Sequence, residues 1–396
     1  MTENHVRILF VVFSDNGHLN PMLALGQHLE ADGHDVAFFS LGHDITAQCA
    51  SAGLRATCGG IARQGGLTQE ASQRSVKLGQ QIGNPRWLQR WLSVTLIDSV
   101  PHAIAPLESM ARTFAPDLIA TDAMAYAGAI VAMRLGIRWA SLATGVQSLL
   151  PPDEATSLVF QQLAPQRDTM VTSLGSSLTF RGSDVRSHDL NVAFVASELF
   201  DGDGDLQLVG PVLPLRPRAL DVPFPWDRVP TDRPIVLVCF GSHLSPRPEI
   251  YPAICNALTA DEAFFVCVLK DLVDAPFVAD LPAYVLPVAF APQLELLGRT
   301  AIMIHHGGAN SVMECISGGV PMVISPLGYD QHLLGAAVER TGLGVVIDQA
   351  EIAVSTMRPL LLRLLEPTGP RQRARELAVS RVNGAARTIE LLLATR

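Results

Sequence analysis

The stretch FAPQLELLGRTAIMIHHGGANSVMECISGGVPMVISPLGYDQ, from Phe290 to Gln331, places a buried strand, a glycine turn and a helix start one after another. Its apolar run at 301–304 is typical of a strand that is covered on both faces. His306 and two glycines follow, and a helical pattern begins at Ala309. Such a junction directs backbone N–H groups and the positive end of a helix dipole at one point. The stretch therefore predicts an anion site, and a phosphate fits it.

Polar side chains around this junction suit a nucleotide and a sugar. Asn310 and Ser311 can add donors to the anion, and Glu314, on the same helical face, can accept hydrogen bonds from ribose hydroxyls. Asp330 and Gln331 follow the next apolar run, at the strand end where open α/β sheets bind ligands. Together they indicate a nucleotide phosphate, a ribose and a further polyol, bound without a metal. The alternative is an ordinary βαβα unit with glycine caps.

The stretch resembles the nucleotide-sugar signature of inverting glycosyltransferases of the UDP-glycosyltransferase superfamily, which include bacterial macrolide and antibiotic enzymes and plant secondary-product enzymes. The resemblance implies the GT-B fold, an α/β chain with two Rossmann-like, doubly wound parallel-sheet domains that face each other across a cleft. It also implies a donor site, which is formed by Ser242, Phe290, Gln293, His306, Gly308, Asn310, Ser311, Glu314, Asp330 and Gln331.

Within that site, the resemblance assigns Phe290 and Gln293 to the base and ribose. It assigns His306 and the start of the following helix to the diphosphate, and Asp330 and Gln331 to sugar hydroxyls. Plant members usually carry tryptophan at the position of Phe290, so the base would here meet a phenyl ring.

The amino-terminal half supplies the predicted catalytic histidine. A buried strand is followed by GHLNP at 17–21, and we predict a helix from Met22 to Asp32 because the proline favours a helix start. His18 would then lie in a loop at the carboxyl end of the first strand. GHLNP resembles the G-H-x-N-P of the family, whose histidine is the general base. Asn20, in the same motif, is assigned to the acceptor.

Asp122 ends a strand predicted at 117–121 and lies in PDLIATDAMAYAGAIVAMRLGI. This text resembles the family segment in which an aspartate orients the catalytic histidine. Capping of the following helix is the alternative role, and the two roles can coexist because they use different carboxylate oxygens.

Two further segments bear on the acceptor. Helical periodicity runs from Trp87 to Phe114, and Trp87 and Trp91 could either face the core or wall an acceptor pocket. The polar segment 145–189 shows little period and is predicted to be a long loop, which the resemblance places over the acceptor site.

The segment from Gly210 to Pro234 holds seven prolines, which exclude a continuous helix or a central strand. We therefore predict an acceptor-binding Rossmann-like domain at 1–209, a linker at 210–234 and a nucleotide-sugar-binding Rossmann-like domain at 235–375. The family implies that a terminal helix at 376–396 crosses back to the first domain.

Composition excludes several classes of protein. A net charge of −9 argues against nucleic acid as a partner. No apolar run approaches the 18 residues of a membrane span, so we expect a cytoplasmic protein. The six cysteines include no C-x-x-C and the eleven histidines no H-E-x-x-H, so no metal site is expected.

The leading hypothesis is an inverting, metal-independent hexosyltransferase with no cofactor. It would move a sugar from a UDP- or TDP-sugar to a hydroxyl of a small lipophilic natural product. The alternatives are a nucleotide-sugar 2-epimerase and a noncatalytic auxiliary protein of the same fold. A dehydrogenase is disfavoured because no G-x-G-x-x-G follows either opening strand. The sequence leaves open the sugar, the acceptor and whether the chain is a monomer or a homodimer.

Overall fold

The structure is a computed structural model that describes residues 5–62, 84–202, 204–217, 223–241, 247–379 and 383–395. Its internal contacts divide the chain into two compact units. The first takes described residues from Met1–Thr68, Asn84–Arg218 and Val382–Arg396, and the second from Ala219–Arg381. The unit boundary thus falls inside the proline-rich segment, and the last helix of the chain belongs to the first unit.

The first unit is built on a seven-stranded parallel sheet with the strand order β3–β2–β1–β4–β5–β8–β9. A separate antiparallel pair is formed by β6 and β7. The strands are β1 (Arg7–Phe13), β2 (Asp35–Gly42), β3 (Thr57–Ala62), β4 (Leu118–Asp122), β5 (Arg138–Ala143), β6 (Thr179–Arg181), β7 (Asp184–Arg186), β8 (Leu190–Ala193) and β9 (Leu206–Leu208).

Helices cover this sheet because its central strands are apolar on both faces. In the first unit they are α1 (Asn16–Ala31), α2 (Thr46–Ser51), α3 (Pro85–Ser93), α4 (Val100–Phe114), α5 (Tyr126–Leu135), α6 (Ala155–Ser173) and, from the end of the chain, α13 (Gly384–Thr395). Close packing is visible where α1 crosses β2: a Cβ on Gly26 would lie 3.0 Å from the ring of Phe38, which stacks on Phe10.

Helix α1 corrects the prediction of a start at Met22. The helix begins at Asn16, so Pro21 lies inside it and His18 lies in its first turn rather than in a loop. The backbone N–H groups of His18 and Leu19 both reach the carbonyl of Asp15. A proline this near the start removes only its own N–H, the one that would bond to the carbonyl of Gly17, and the early start is therefore tolerated.

Segment 145–189 also differs from its prediction as a long loop, because it contains α6 and the β6–β7 hairpin. Glu154 caps α6 by accepting the N–H groups of Thr156 and Ser157, and those two polar residues are buried beside Val159 and Phe160. Since polar side chains occupy part of the buried face, the apolar period of the helix is hidden in the sequence.

The periodic segment that was predicted from Trp87 to Phe114 is divided into two helices. A π-helical turn at Val94–Asp98 separates α3 from α4, and Pro101 lies in the first turn of α4. Leu88 and Leu92 are the buried residues of α3, so the core face of this helix is not the one that carries its tryptophans.

The second unit has a six-stranded parallel sheet with the order β12–β11–β10–β13–β14–β15. These strands are β10 (Ile235–Cys239), β11 (Phe264–Val268), β12 (Val285–Val288), β13 (Thr300–His305), β14 (Met322–Ile324) and β15 (Gly344–Val346). The helices are α7 (Ile250–Cys255), α8 (Gln293–Leu297), α9 (Ala309–Gly318), α10 (Gln331–Arg340), α11 (Val354–Leu365) and α12 (Pro370–Val379). Two α/β units with parallel sheets confirm the predicted fold class.

Candidate active site

His18 and Asp122 are in contact in the first unit. The Nδ1 atom of His18 lies 2.7 Å from Oδ2 of Asp122, whose side chain is almost fully buried while the imidazole is 29% exposed. The other oxygen, Oδ1, accepts the backbone N–H of Met124 at 2.9 Å. Asp122 does not cap α5, because the N-cap position is Ala125 and has no side-chain cap. The carboxylate is thus fixed by the backbone on one side and meets the imidazole on the other.

Strand order brings these residues together. His18 follows β1, Asp122 ends β4, and Thr144 comes directly after β5, and these three strands are neighbours in the parallel sheet. The Thr144 hydroxyl lies 3.0 Å from the same Nδ1 atom of His18. The ring of Phe13 packs edge-on against the imidazole, at 5.6 Å between centroids. Two oxygens around Nδ1 favour the tautomer with its proton there, which leaves Nε2 as the basic nitrogen.

A second carboxylate, that of Asp184, lies near Asp122. The side chain of Asp184 is 2% exposed, and burial raises its pKa to about 6, with the charge of Asp122 acting in the same direction. The hydroxyl of Ser148 donates to it at 2.5 Å and opposes this rise. Sequence reasoning missed both Thr144 and Asp184, since neither lies in a recognisable motif.

The residues assigned to the acceptor lie on two helices of the first unit. Trp87 and Trp91 stack on each other with 6.1 Å between centroids and are partly exposed on α3. Asn20 lies inside α1, two residues beyond His18, and is partly buried. An open cavity of about 570 Å³ lies between the π-helical turn and α6, with Ile97 and Met170 in its lining. None of the three assigned residues lines it.

In the second unit, β13 leads through a glycine turn into α9, as the sequence predicted. His305 ends the strand, Gly307 adopts a positive φ of 88°, and Gly308 is the N-cap of the helix. The ring of His306 is enclosed by glycines: a Cβ on either Gly241 or Gly308 would lie 2.5 Å from it. Glycine is therefore required for a positive φ at Gly307 and Gly241, and for space beside His306 at Gly241 and Gly308.

His305 is a buried, neutral support of this turn. Its Nδ1 atom accepts the backbone N–H of Gly307 at 3.1 Å, so its proton belongs on Nε2. Burial lowers the pKa of His305 to about 3, with the neighbouring His306 acting in the same direction. Asn310 and Ser311 lie in the first turn of the ten-residue helix that follows.

Glu314 and Gln293 are brought together across 21 residues of sequence. The amide nitrogen of Gln293 donates to Oε2 of Glu314 at 2.6 Å, and the carboxylate is buried on α9. Phe290, three residues before Gln293, has a ring that is 63% exposed. Gln293 thus contacts a buried carboxylate and lies three residues after an exposed phenyl ring.

Asp330 and Gln331 mark the start of α10, beyond the carboxyl end of β14. Asp330 is the N-cap residue, and both side chains are buried. The oxygen of the Gln331 amide accepts the N–H groups of Leu327 and Gly328, at 2.7 and 3.1 Å. That oxygen holds the preceding turn, so a ligand would meet the amide nitrogen. Ser242, also predicted for the donor site, lies outside the described residues.

Lys270 is a further candidate for the donor site, because it also lies at the carboxyl edge of this sheet. It follows β11, has a left-handed φ of 52°, and donates its backbone N–H to Ala289 at 3.2 Å. Burial lowers the pKa of its amine to about 8. Phe290 is the residue after Ala289, so the lysine backbone is tied to the segment that was assigned to the base.

The described part of the chain lacks two further features. No three His, Cys, Asp or Glu side chains come together there in a group that could hold a metal ion. None of the helices in the described residues is long and apolar enough to cross a membrane.

Comparison with known proteins shows what this chain is similar to. Residues 259–386 match the family described as Erythromycin biosynthesis protein CIII-like, C-terminal domain. The chain is similar to the NDP-glycosyltransferase YjiC of Bacillus subtilis, with 26% identity over 86% of this chain and 84% of the relative. The chain is a GT-B glycosyltransferase.

Other relatives of this GT-B glycosyltransferase are enzymes named for antibiotics. The demethyllactenocin mycarosyltransferase of Streptomyces fradiae is 24% identical over 90% of this chain and 79% of its own length. Among solved structures, the glycotransferase of kitacinnamycin matches with a TM-score of 0.76 and 22% identity, over 99% of each chain. The glycosyltransferase VinC, solved in complex with dTDP, matches with a TM-score of 0.71 and 20% identity, over 98% of this chain and 99% of its own.

Proposed function

We propose that this glycosyltransferase moves a sugar from a UDP- or TDP-sugar to a hydroxyl of a small apolar natural product, with inversion at the anomeric carbon. The contact between His18 and Asp122 carries the proposal, because an imidazole held through Nδ1 by a buried carboxylate is built to accept a proton at Nε2. A relative named demethyllactenocin mycarosyltransferase and a structural neighbour solved with dTDP support the class of donor and acceptor.

In the proposed reaction, Nε2 of His18 removes the proton from the acceptor hydroxyl as its oxygen attacks the anomeric carbon. The bond from that carbon to the diphosphate breaks on the opposite face, and the nucleoside diphosphate leaves with both electrons. Asp122 stabilises the imidazolium that forms and keeps the ring in one tautomer. Histidine is a common general base near neutral pH.

The second unit would hold the leaving group. The first turn of α9 presents N–H groups, the side chains of Asn310 and Ser311, and the positive end of the helix dipole. These groups stabilise the charge that develops on the diphosphate, so no metal ion is required for that task. The Glu314 carboxylate would accept hydrogen bonds from the ribose hydroxyls, while the amide of Gln293 holds that carboxylate in place. Phe290 would stack on the base.

The test separates the base from the donor site. His18→Ala should lower kcat for transfer to an aliphatic alcohol by about 10²- to 10⁴-fold, because a general base contributes that much. It should leave the affinity for UDP or TDP unchanged, because the residues proposed for the nucleotide lie in the second unit. Asp122→Asn should cause an equal or smaller loss, and it should add little to His18→Ala. His43→Ala, at an exposed histidine, serves as the matched control.

Three results would contradict the proposal. Near wild-type transfer by His18→Ala would remove its role as base. Loss of nucleotide binding in that variant would show that the histidine acts elsewhere. Conversion of the nucleotide sugar to an epimer without an acceptor alcohol would identify the 2-epimerase instead. NMR of the product settles the stereochemistry, because an α-linked donor should yield a β-linked glycoside.

A further inference from the structure

Asp184 is a buried carboxylate that the proposed reaction does not use. It begins β7, and the N–H of the next residue, Val185, donates to the carbonyl of Ala123 at 2.8 Å, directly after the end of β4. Each of its two carboxylate oxygens accepts a hydrogen bond from a different hydroxyl. Oδ2 accepts from Ser148 at 2.5 Å, and Oδ1 accepts from Ser183 at 3.3 Å. A carboxylate can serve both hydroxyls at once, and such bonds are stronger than those between neutral groups.

Ser148 belongs to a short segment, residues 144–149, whose first residue contacts the proposed catalytic histidine, His18. Thr144 opens it with the hydroxyl that lies 3.0 Å from Nδ1 of His18. A turn of 3-10 helix at Gln147–Leu149 closes it and carries Ser148. Since Thr144 lies only four residues from Ser148, a shift of the turn would move the Thr144 hydroxyl as well.

The β6–β7 hairpin holds this segment from outside. The Nε atom of Arg181 donates to the carbonyl of Ser148 at 3.0 Å. Gly182 approaches the carbonyl of Gln147 so closely that a Cβ there would lie 2.9 Å from it. With the carboxylate of Asp184, the hairpin contacts the 144–149 segment at three points, all of them near Ser148.

We propose that Asp184 is a positioning residue for His18, which fixes the 144–149 segment through Ser148 and thereby places the Thr144 hydroxyl against Nδ1 of the imidazole. This inference rests on the proposed role of His18 as general base. Nδ1 then has two fixed oxygen neighbours, one from Asp122 and one from Thr144, and the ring cannot turn without losing both.

The two serines on Asp184 provide a matched pair of variants. Ser148→Ala and Ser183→Ala each remove one hydroxyl from the same buried carboxylate, but only Ser148 lies in the 144–149 segment. Ser148→Ala should lower kcat by about tenfold, since a small displacement of a catalytic group has effects of that order. It should leave nucleotide affinity unchanged, and Ser183→Ala should leave kcat unchanged as well.

A double-mutant cycle tests the route from Ser148 to the histidine. Thr144→Val removes the hydroxyl near Nδ1 while keeping the side-chain shape. If Ser148 acts through Thr144, then Ser148→Ala should add little to the loss already caused by Thr144→Val. Additive losses would show that Ser148 affects the reaction by another route and would overturn the proposal.

A readout without substrate separates this inference from the proposed function. Nitrogen-15 NMR of the ligand-free protein reports the tautomer and titration of His18, and Ser148→Ala should change both while Ser183→Ala changes neither. If wild type transfers no sugar but this NMR pattern is found, the proposed function fails and the positioning stands. If the two serine variants give the same His18 signals, Asp184 has only a structural role and the inference is wrong.

Discussion

Replacement of Asp184 by asparagine is expected to stabilise the first unit near neutral pH. Burial raises the pKa of this carboxyl from 3.8 to about 6. The side chain is 2% exposed, so solvent screens the effect little. A shift of about two units corresponds to about 3 kcal/mol at about 1.36 kcal/mol per unit. Asparagine keeps an oxygen that can accept from Ser148, and it carries no charge that burial could penalise.

The sign of the pH dependence follows from the two protonation states. Below pH 3.8 the carboxyl is protonated in both the folded and the unfolded chain, and wild type and Asp184→Asn should differ little. Between pH 3.8 and about 6 the unfolded chain loses the proton first, so the free energy of unfolding of wild type falls as pH rises. Above about pH 6 the carboxyl is ionised in both states, and the free energy of unfolding of wild type stays below that of Asp184→Asn by a constant amount.

Urea unfolding of both proteins between pH 3.5 and 8 measures this difference. The subtraction of one curve from the other cancels titrating groups that the two proteins share. Asp153→Asn, at an exposed position before α6, is the control for removal of a negative charge. A difference between wild type and Asp184→Asn that stays constant from pH 4 to 7 would refute the reasoning, because it would mean that the carboxyl titrates alike in both states.

Three further outcomes are expected. The amine of Lys270 should titrate near pH 8, and the free energy of unfolding should rise between about pH 8 and 10.5, because the unfolded chain keeps that proton to a higher pH. Nitrogen-15 NMR can check the titration, since Lys77 is the only other lysine in the sequence. Phe290→Ala should weaken UDP or TDP binding by about 1–3 kcal/mol in calorimetry, and unchanged affinity would place the base elsewhere. Gly384→Ala should lower the melting temperature far more than Gly298→Ala, because a Cβ at Gly384 meets three backbone carbonyl oxygens within 3.0 Å and one at Gly298 meets a single oxygen at 3.5 Å.

Much of the fold could be predicted because its strands are apolar on both faces. Apolar runs such as those of β1 and β13 are typical of buried parallel strands, and polar residues directly after them lie at the carboxyl edge of such a sheet. That argument placed His18 and Asp122 at the carboxyl ends of two strands, and the resemblance to the family paired them. It could not place Thr144 or Asp184, because each depends on contacts between strands, hairpin and turn that no local pattern encodes.

The errors have local causes. Pro21 predicts a helix start at Met22, but a proline close to a helix start removes a single hydrogen bond and can lie inside the helix. Helix α6 buries Thr156 and Ser157 next to its apolar residues, so its sequence lacks the period by which a helix is recognised. The π-helical turn between α3 and α4 shifts the spacing of apolar residues only slightly from that of an α-helix. The hydrophobic period therefore does not reveal it.

Helix α13 has a consequence for how the protein is made. Ala385, Ile389 and Leu392 belong to the hydrophobic core of the first unit, and Arg138 donates to the carbonyl of Thr395 at 2.8 Å. A ribosome synthesises these residues after every strand of both sheets. The core of the first unit therefore stays open until α13 has been made, whereas all residues of the second unit are made before that helix. Chains that terminate before α13 should expose apolar surface of the first unit, and proteases should cleave that unit before the second one.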